Sequence, residues 1–136
     1  MAIDDDELVP LTAELHVRDL DASVAYWRDV LGFEVSRHDP DFAVLFHRSA
    51  AGDAMVMLAP SHEDTPELRP GDPERGLGLH LRVTVDDVDA HFERARAAGA
   101  EIIFAPTDQA YGLRDYMLRV PDGFYVRFAR GLTSGH

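Results

Sequence analysis

Two stretches decide the fold: Val17-Arg18-Asp19-Leu20-Asp21-Ala22 and Val85-Asp86-Asp87-Val88-Asp89-Ala90. Val17, Asp19, Asp21 and Ala22 return as Val85, Asp87, Asp89 and Ala90, each displaced by 68 residues. Ahead of the first stretch, Leu11, Ala13, Leu15 and Val17 alternate with Thr12, Glu14 and His16, the period of a strand with one face buried. After it the period changes. Val24, Trp27 and Leu31 fall on one face of a helix over Ala22–Leu31, with Asp21 as N-cap and Gly32 as its stop. Strand-like runs at Phe33–Arg37, Phe42–His47 and Ala54–Ala59 follow, divided by Asp39-Pro40-Asp41 and Ala51-Gly52-Asp53.

The second stretch sits in the same order of elements. Leu79–Val85 reads as a strand, and Asp87-Val88-Asp89 opens a helix that runs to about Ala98 and stops at Gly99. Val88, Phe92 and Ala95 form its apolar face. Runs at Glu101–Phe104, Leu113–Val120 and Tyr125–Ala129 complete the copy, with Pro121-Asp122-Gly123 as the last turn. The β-α-β-β-β order thus occurs twice, which marks an internal duplication. Between the copies, Pro60–Gly78 holds four prolines and three glycines among many charges, the composition of an exposed linker. The expected organisation is an acidic arm at 1–10, a first module at 11–59, a linker at 60–78, a second module at 79–130 and a tail at 131–136. Both modules together make one α+β domain.

Composition narrows the chemistry. The 136 residues are 46% hydrophobic, enough for a core. Twenty-five acidic residues against 13 basic ones give a net charge of −12, a poor match for a phosphate backbone, so nucleic acid is not an expected partner. All 13 basic residues are arginine, which removes Schiff-base chemistry. Cysteine is absent, and with it disulfides, thiolate metal sites and a thiol nucleophile. No apolar run approaches a membrane span, and the acidic start does not resemble a secretory signal; a cytoplasmic protein without a membrane partner is expected.

The duplicated stretch resembles a known family. Val17-Arg18-Asp19-Leu20-Asp21-Ala22-Ser23-Val24-Ala25-Tyr26-Trp27 with Leu31-Gly32-Phe33 is similar to the V-x-D-L-x-x-S-x-x-F/Y-Y/W…LGF signature of the vicinal oxygen chelate superfamily. That superfamily holds glyoxalase I, extradiol dioxygenases and bleomycin-resistance proteins. Gly112-Leu113-Arg114-Asp115 and Pro121-Asp122-Gly123-Phe124 resemble its G-x-R…D-P-x-G ending, with Val120 where Asp is usual. The resemblance implies tandem βαβββ modules whose curled mixed sheets form a cup. It also implies that the metal-ligand positions of the family's enzymes fall on Thr12, Met57, His80 and Arg127.

That set is wrong for a divalent ion, which needs three or four donors from imidazole or carboxylate. Only His80 qualifies, and a guanidinium offers donors and a fixed positive charge. The expectation is therefore no metal and no cofactor. A displaced site pairing Glu14 or His16 with His80 is the alternative. His62 is read as solvated and His47 lies outside the pattern. Ser23 belongs to the helix start, Trp27 to the core, and Asp115 and Asp122 to turns or a strand edge. His62–Glu67 fails the H-E-x-x-H pattern at Pro66, and neither a P-loop nor a dinucleotide fingerprint occurs.

Two functions follow as expectations. The first is a metal-independent protein that binds or sequesters a small molecule, in the manner of bleomycin-resistance proteins, as a homodimer. Gln109-Ala110-Tyr111-Gly112-Leu113-Arg114-Asp115-Tyr116 resembles the Q-P-W-G-x-R-x-F segment of those proteins. Tyr111 there either stacks on a planar ligand or packs its own loop. The expected cup lining is Thr12, Glu14, His16, Met57, His80, Arg82, Tyr111, Arg114, Tyr116 and Arg127. The second is a lyase, isomerase or dioxygenase-like enzyme using a displaced metal or His80 as general base. Acidity suits a cationic ligand, whereas Arg82 and Arg127 in the cup favour a carboxylate, phosphate or phenolate.

Overall fold

The computed structural model describes residues 11–61, 76 and 78–132. The expected N-terminal arm, most of the Pro-rich linker with His62, and residues 133–136 lie outside them. Each half supplies four strands and one helix. The first half gives β1 (Ala13–Val17), α1 (Leu20–Asp29), β2 (Glu34–His38), β3 (Ala43–Ser49) and β4 (Gly52–Pro60). The second gives β5 (His80–Thr84), α2 (Val88–Ala97), β6 (Glu101–Asp108), β7 (Leu113–Arg119) and β8 (Tyr125–Gly131), with a single 3-10 turn at Pro121–Gly123.

The sheets are ordered β1-β4-β3-β2 and β5-β8-β7-β6. In each, the first strand runs parallel to the last and the remaining pairs are antiparallel, so both sheets are mixed. Neither sheet closes on itself.

Element ends shift by a few residues from the sequence reading, and one shift changes a residue's role. The N-cap of α1 is Asp19, not Asp21: its backbone is extended and its carboxylate accepts the N–H of Ala22 at 3.0 Å. Asp21 falls in the first turn, where its charge meets the positive end of the helix and its carboxylate reaches His38 at 2.8 Å. In α2 the cap is Asp87, again accepting three residues on, from Ala90. The repeated Asp is thus the cap of both helices. Gly32 and Gly99 follow them at φ of 79° and 87°, a left-handed turn that favours glycine.

Period-two alternation sorts each sheet into a helix-covered face and an open face. Leu15, Val17, Leu45, Val56 and Leu58 of the first sheet share one buried core with Val83, Tyr116, Leu118, Val126 and Phe128 of the second. Trp27 and Phe33 pack edge-on in it at 5.0 Å. Reciprocal contacts tie the halves at their rims. Arg18 donates from its backbone and guanidinium to Asp122 in the last turn, and the Ala50 N–H of the β3–β4 turn donates to Asp86.

His91 of α2 is the polar pin of this core. Its Nε2 lies 2.7 Å from the carbonyl of Leu31 and its Nδ1 2.7 Å from the Tyr116 hydroxyl. A carbonyl only accepts, so Nε2 carries the proton and Nδ1 accepts from Tyr116. The ring also stacks on Phe128 at 4.0 Å. Burial pushes the His91 pKa down to about 4, with the Leu31 carbonyl opposing and His47 and Arg94 adding to the shift.

The unfolded chain binds this proton at about 6.5, so it takes up more protons than the folded one between the two values. Stability contributed by neutral His91 is complete above pH 6.5 and falls as pH drops toward 4, by about 3 kcal/mol in all. Urea unfolding of wild type and His91→Gln at pH 7 and pH 4.5 checks this: the wild type loses more stability than the variant, and equal losses would contradict it.

Candidate ligand site on the open face of the second sheet

Register places the site. Arg82 on β5 stands directly beside Arg127 on β8, and Met117 on β7 stands on the other side of Arg127. Their immediate chain neighbours Val83, Val126, Phe128, Tyr116 and Leu118 point into the core. His80, Arg82, Asp115 and Arg127 therefore share the open face. The turn after β6 brings Gln109 and Tyr111 over its edge.

At the centre is Asp115, which is fully buried. Its carboxylate accepts from Gln109 Nε2 at 2.8 Å, the Tyr111 hydroxyl at 2.9 Å and Arg127 Nη1 at 3.3 Å. Burial alone would raise its pKa, but these three donors outweigh that and hold the carboxyl below the usual range. Arg127 is pinned in turn: Nη1 also donates to the Tyr111 oxygen at 3.0 Å and its guanidinium lies over the Phe104 ring. Its Nε donates to His80 Nδ1 at 3.3 Å.

A guanidinium Nε is always a donor, so His80 is fixed as the Nε2–H tautomer. Tyr111 keeps its phenol protonated, since burial and the neighbouring Asp115 carboxylate raise its pKa. Its ring is half exposed, with the Arg82 guanidinium 5.9 Å above it.

His80, Arg82, Tyr111 and Arg127 line one cavity of about 480 Å³, within the range of small-molecule pockets. Four expected residues are thereby brought together. Thr12 lines a neighbouring, largely apolar cavity, also of about 480 Å³, with Met55, Leu79, Leu81 and Arg82 among its walls. Glu14, His16 and Met57 line neither of these cavities. Glu14 lies beside Met57 on the first sheet and bonds His16 at 3.0 Å. Met57 packs against Val44, Phe46 and Met55, an apolar cluster separate from the main core.

Two expected site residues need correction. Arg114 and Tyr116 have the opposite parity to Asp115 and project to the helix side of β7. Arg114 is clamped by Asp89 of α2 and by Asp108, at 2.8 and 2.9 Å. Tyr116 is fully buried against His91, Phe92 and Phe128. The sequence reading also missed Asp115 and Gln109. Asp115 read as a turn or edge residue, although its alternation with Arg114 and Tyr116 already put it on the face of Arg127.

The metal positions implied by the superfamily do not fit an ion. The Thr12 hydroxyl donates to the Met55 sulfur at 3.9 Å, Met57 is a partly buried thioether packed against an apolar cluster, and the His80 Nδ1 lone pair is taken by Arg127. No cluster of three His, Asp or Glu side chains with metal-binding geometry exists among the described residues. That holds for the displaced arrangement of Glu14, His16 and His80 too.

Residues 10–128 match the family model of the Glyoxalase/Bleomycin resistance protein/Dioxygenase superfamily. The chain belongs to this superfamily. An uncharacterized protein of Pseudomonas aeruginosa, PA2024, is 31% identical over 135 residues, covering 89% of this chain and 87% of that protein. Among solved structures, TioX from Micromonospora sp. ML1 is 31% identical with a TM-score of 0.68, over 90% of this chain and 98% of TioX. A bleomycin resistance determinant encoded on the transposon Tn5 shares the fold, at 22% identity and a TM-score of 0.67, over 91% of this chain and 98% of that one. Superfamily membership confirms the resemblance seen in the sequence; at such distances it carries the fold further than the chemistry.

Asp115 and Arg82 make opposite predictions for stability. Asp115→Ala strands the Arg127 charge and two further donors, and costs about 3 kcal/mol. Arg82→Ala removes a like charge beside Arg127 and leaves stability within about 0.5 kcal/mol of wild type, or raises it. Chemical denaturation of both variants decides, and a costly Arg82→Ala would overturn the arrangement.

Proposed function

We propose that the protein is a metal-independent small-molecule binding protein, which sequesters its ligand in the cavity walled by His80, Arg82, Tyr111 and Arg127. The observation that carries this reading is the bond from Arg127 Nε to His80 Nδ1. It places a fixed cation where the superfamily's enzymes place a metal ligand, and it consumes the one imidazole lone pair available there. With Nδ1 occupied, His80 offers the cavity a donor rather than a base, which speaks against the general-base alternative. Tyr111, half exposed at the cavity wall, supplies an aromatic surface for a flat ligand.

The proposal includes a homodimer. The two sheets differ on the sides away from the helices, the first holding a buried apolar cluster of Val44, Phe46 and Met55 and the second the charged wall around Arg127. The cavity of a single chain is walled by the second sheet alone, and a second copy supplies the opposite wall by symmetric pairing. Sedimentation at micromolar concentration is expected to show a dimer, and a monomer would count against this part.

Metal analysis tests the central statement. Protein dialysed against zinc, nickel, manganese or iron(II) and then desalted is expected to retain far less than one ion per chain, and ligand binding is expected to survive EDTA. One tightly held ion per chain, lost in His80→Ala, would sink the proposal.

A further inference from the structure

We infer that the cavity is selective for a small aromatic carboxylate, its acid group held between Arg82 and His80; this rests on the cavity being the ligand site. The charges on the cavity wall do not cancel. Arg82 and Arg127 are direct neighbours across parallel strands on one face, an unfavourable like-charge pair. Asp115 answers Arg127. Among the described residues, no carboxylate answers Arg82, which lies over the Tyr111 ring. Asp53 lines a small adjoining cavity with Arg82 but is bonded by Arg48. Two cations against one anion leave the wall with one positive charge in need of a partner.

The count of donors and acceptors points the same way. Arg82 presents guanidinium N–H groups, and His80, with Nδ1 occupied, presents Nε2–H. The Tyr111 hydroxyl spends its proton on Asp115 and receives one from Arg127. The Asp115 carboxylate is wholly buried behind these side chains and accepts from Tyr111, Arg127 and Gln109. Among the described residues of one chain, what remains toward the cavity is a set of donors on cationic and imidazole groups, with no carboxylate left to receive an ammonium or amidinium. A carboxylate supplies acceptors and the missing charge together, and its aromatic body has Tyr111 to lie against. The net charge of −12 therefore does not set the sign of the ligand; local groups at contact distance do.

Three probes of one shape and different charge test this on the full chain: 2-naphthoate, 2-naphthamide and the 2-naphthamidinium cation, by isothermal titration calorimetry. Naphthoate is expected to bind about tenfold or more tighter than the amide, the size of one charge-assisted contact, with the cation weakest. Arg82→Gln is expected to erase the preference for the acid over the amide, while Arg114→Gln, on the far side of β7, preserves it. Equal binding of acid and amide, tighter binding of the cation, a preference that survives Arg82→Gln, or no naphthoate binding at millimolar concentration would each overturn the inference. The first two would leave the cavity as a ligand site of other specificity. Acid binding that vanishes with EDTA would instead strike the metal-independent reading.

Discussion

A buried carboxylate under a sheet of arginines is the constraint on which the second half of this protein depends. Asp115 has no solvent to share its charge with, so it must be met from within. Gln109 and Tyr111 reach it from the turn after β6, and Arg127 reaches it from the adjacent strand. That demand draws the turn over the sheet, holds the Arg127 guanidinium flat, and sets the direction in which its Nε points. Through Nε it also settles which nitrogen of His80 carries a proton. A single ion pair thus organises the loop, the cavity wall and a histidine tautomer.

The duplication shows how one backbone supports two different faces. Both halves place their first strand beside their last and cap their helix with the equivalent Asp, Asp19 and Asp87. The open face of the first sheet carries Val44, Phe46 and Met55, whereas that of the second carries Arg82, Asp115 and Arg127. By register Arg127 stands where the first copy has Met57 and Arg82 where it has Glu14, while Val44 and Met117 are both apolar. Among the described residues, no three His, Asp or Glu side chains gather on either face with metal-binding geometry.

Much of this was legible in the sequence because it is local and periodic. The V-x-D repeat, the helix-ending glycines and the alternating runs predict both modules, with element ends shifted by only a few residues. His80, Arg82, Tyr111 and Arg127, which strand parity and the superfamily's pattern put at the cup, line one cavity together. What escaped depends on contacts distant in the chain. Arg114 and Tyr116 were assigned to the cup from a motif read as a block, although residues next to each other on a strand face opposite ways. Asp115 looked ordinary because nothing local reveals that Gln109, Tyr111 and Arg127 converge on it. Asp21 was taken as the cap for the same kind of reason: two Asp residues stood at the helix start, and only backbone geometry chooses between them.

The account turns on the state of one ring. Nitrogen-15 NMR of the His80 imidazole in the full-length protein measures it directly, as the chemical shifts distinguish a protonated ring nitrogen from one that accepts a hydrogen bond. The arrangement predicts the Nε2–H tautomer at neutral pH, with Nδ1 as acceptor and no change on adding zinc. A proton on Nδ1, or a zinc-induced shift of either nitrogen at one equivalent of metal, would contradict it.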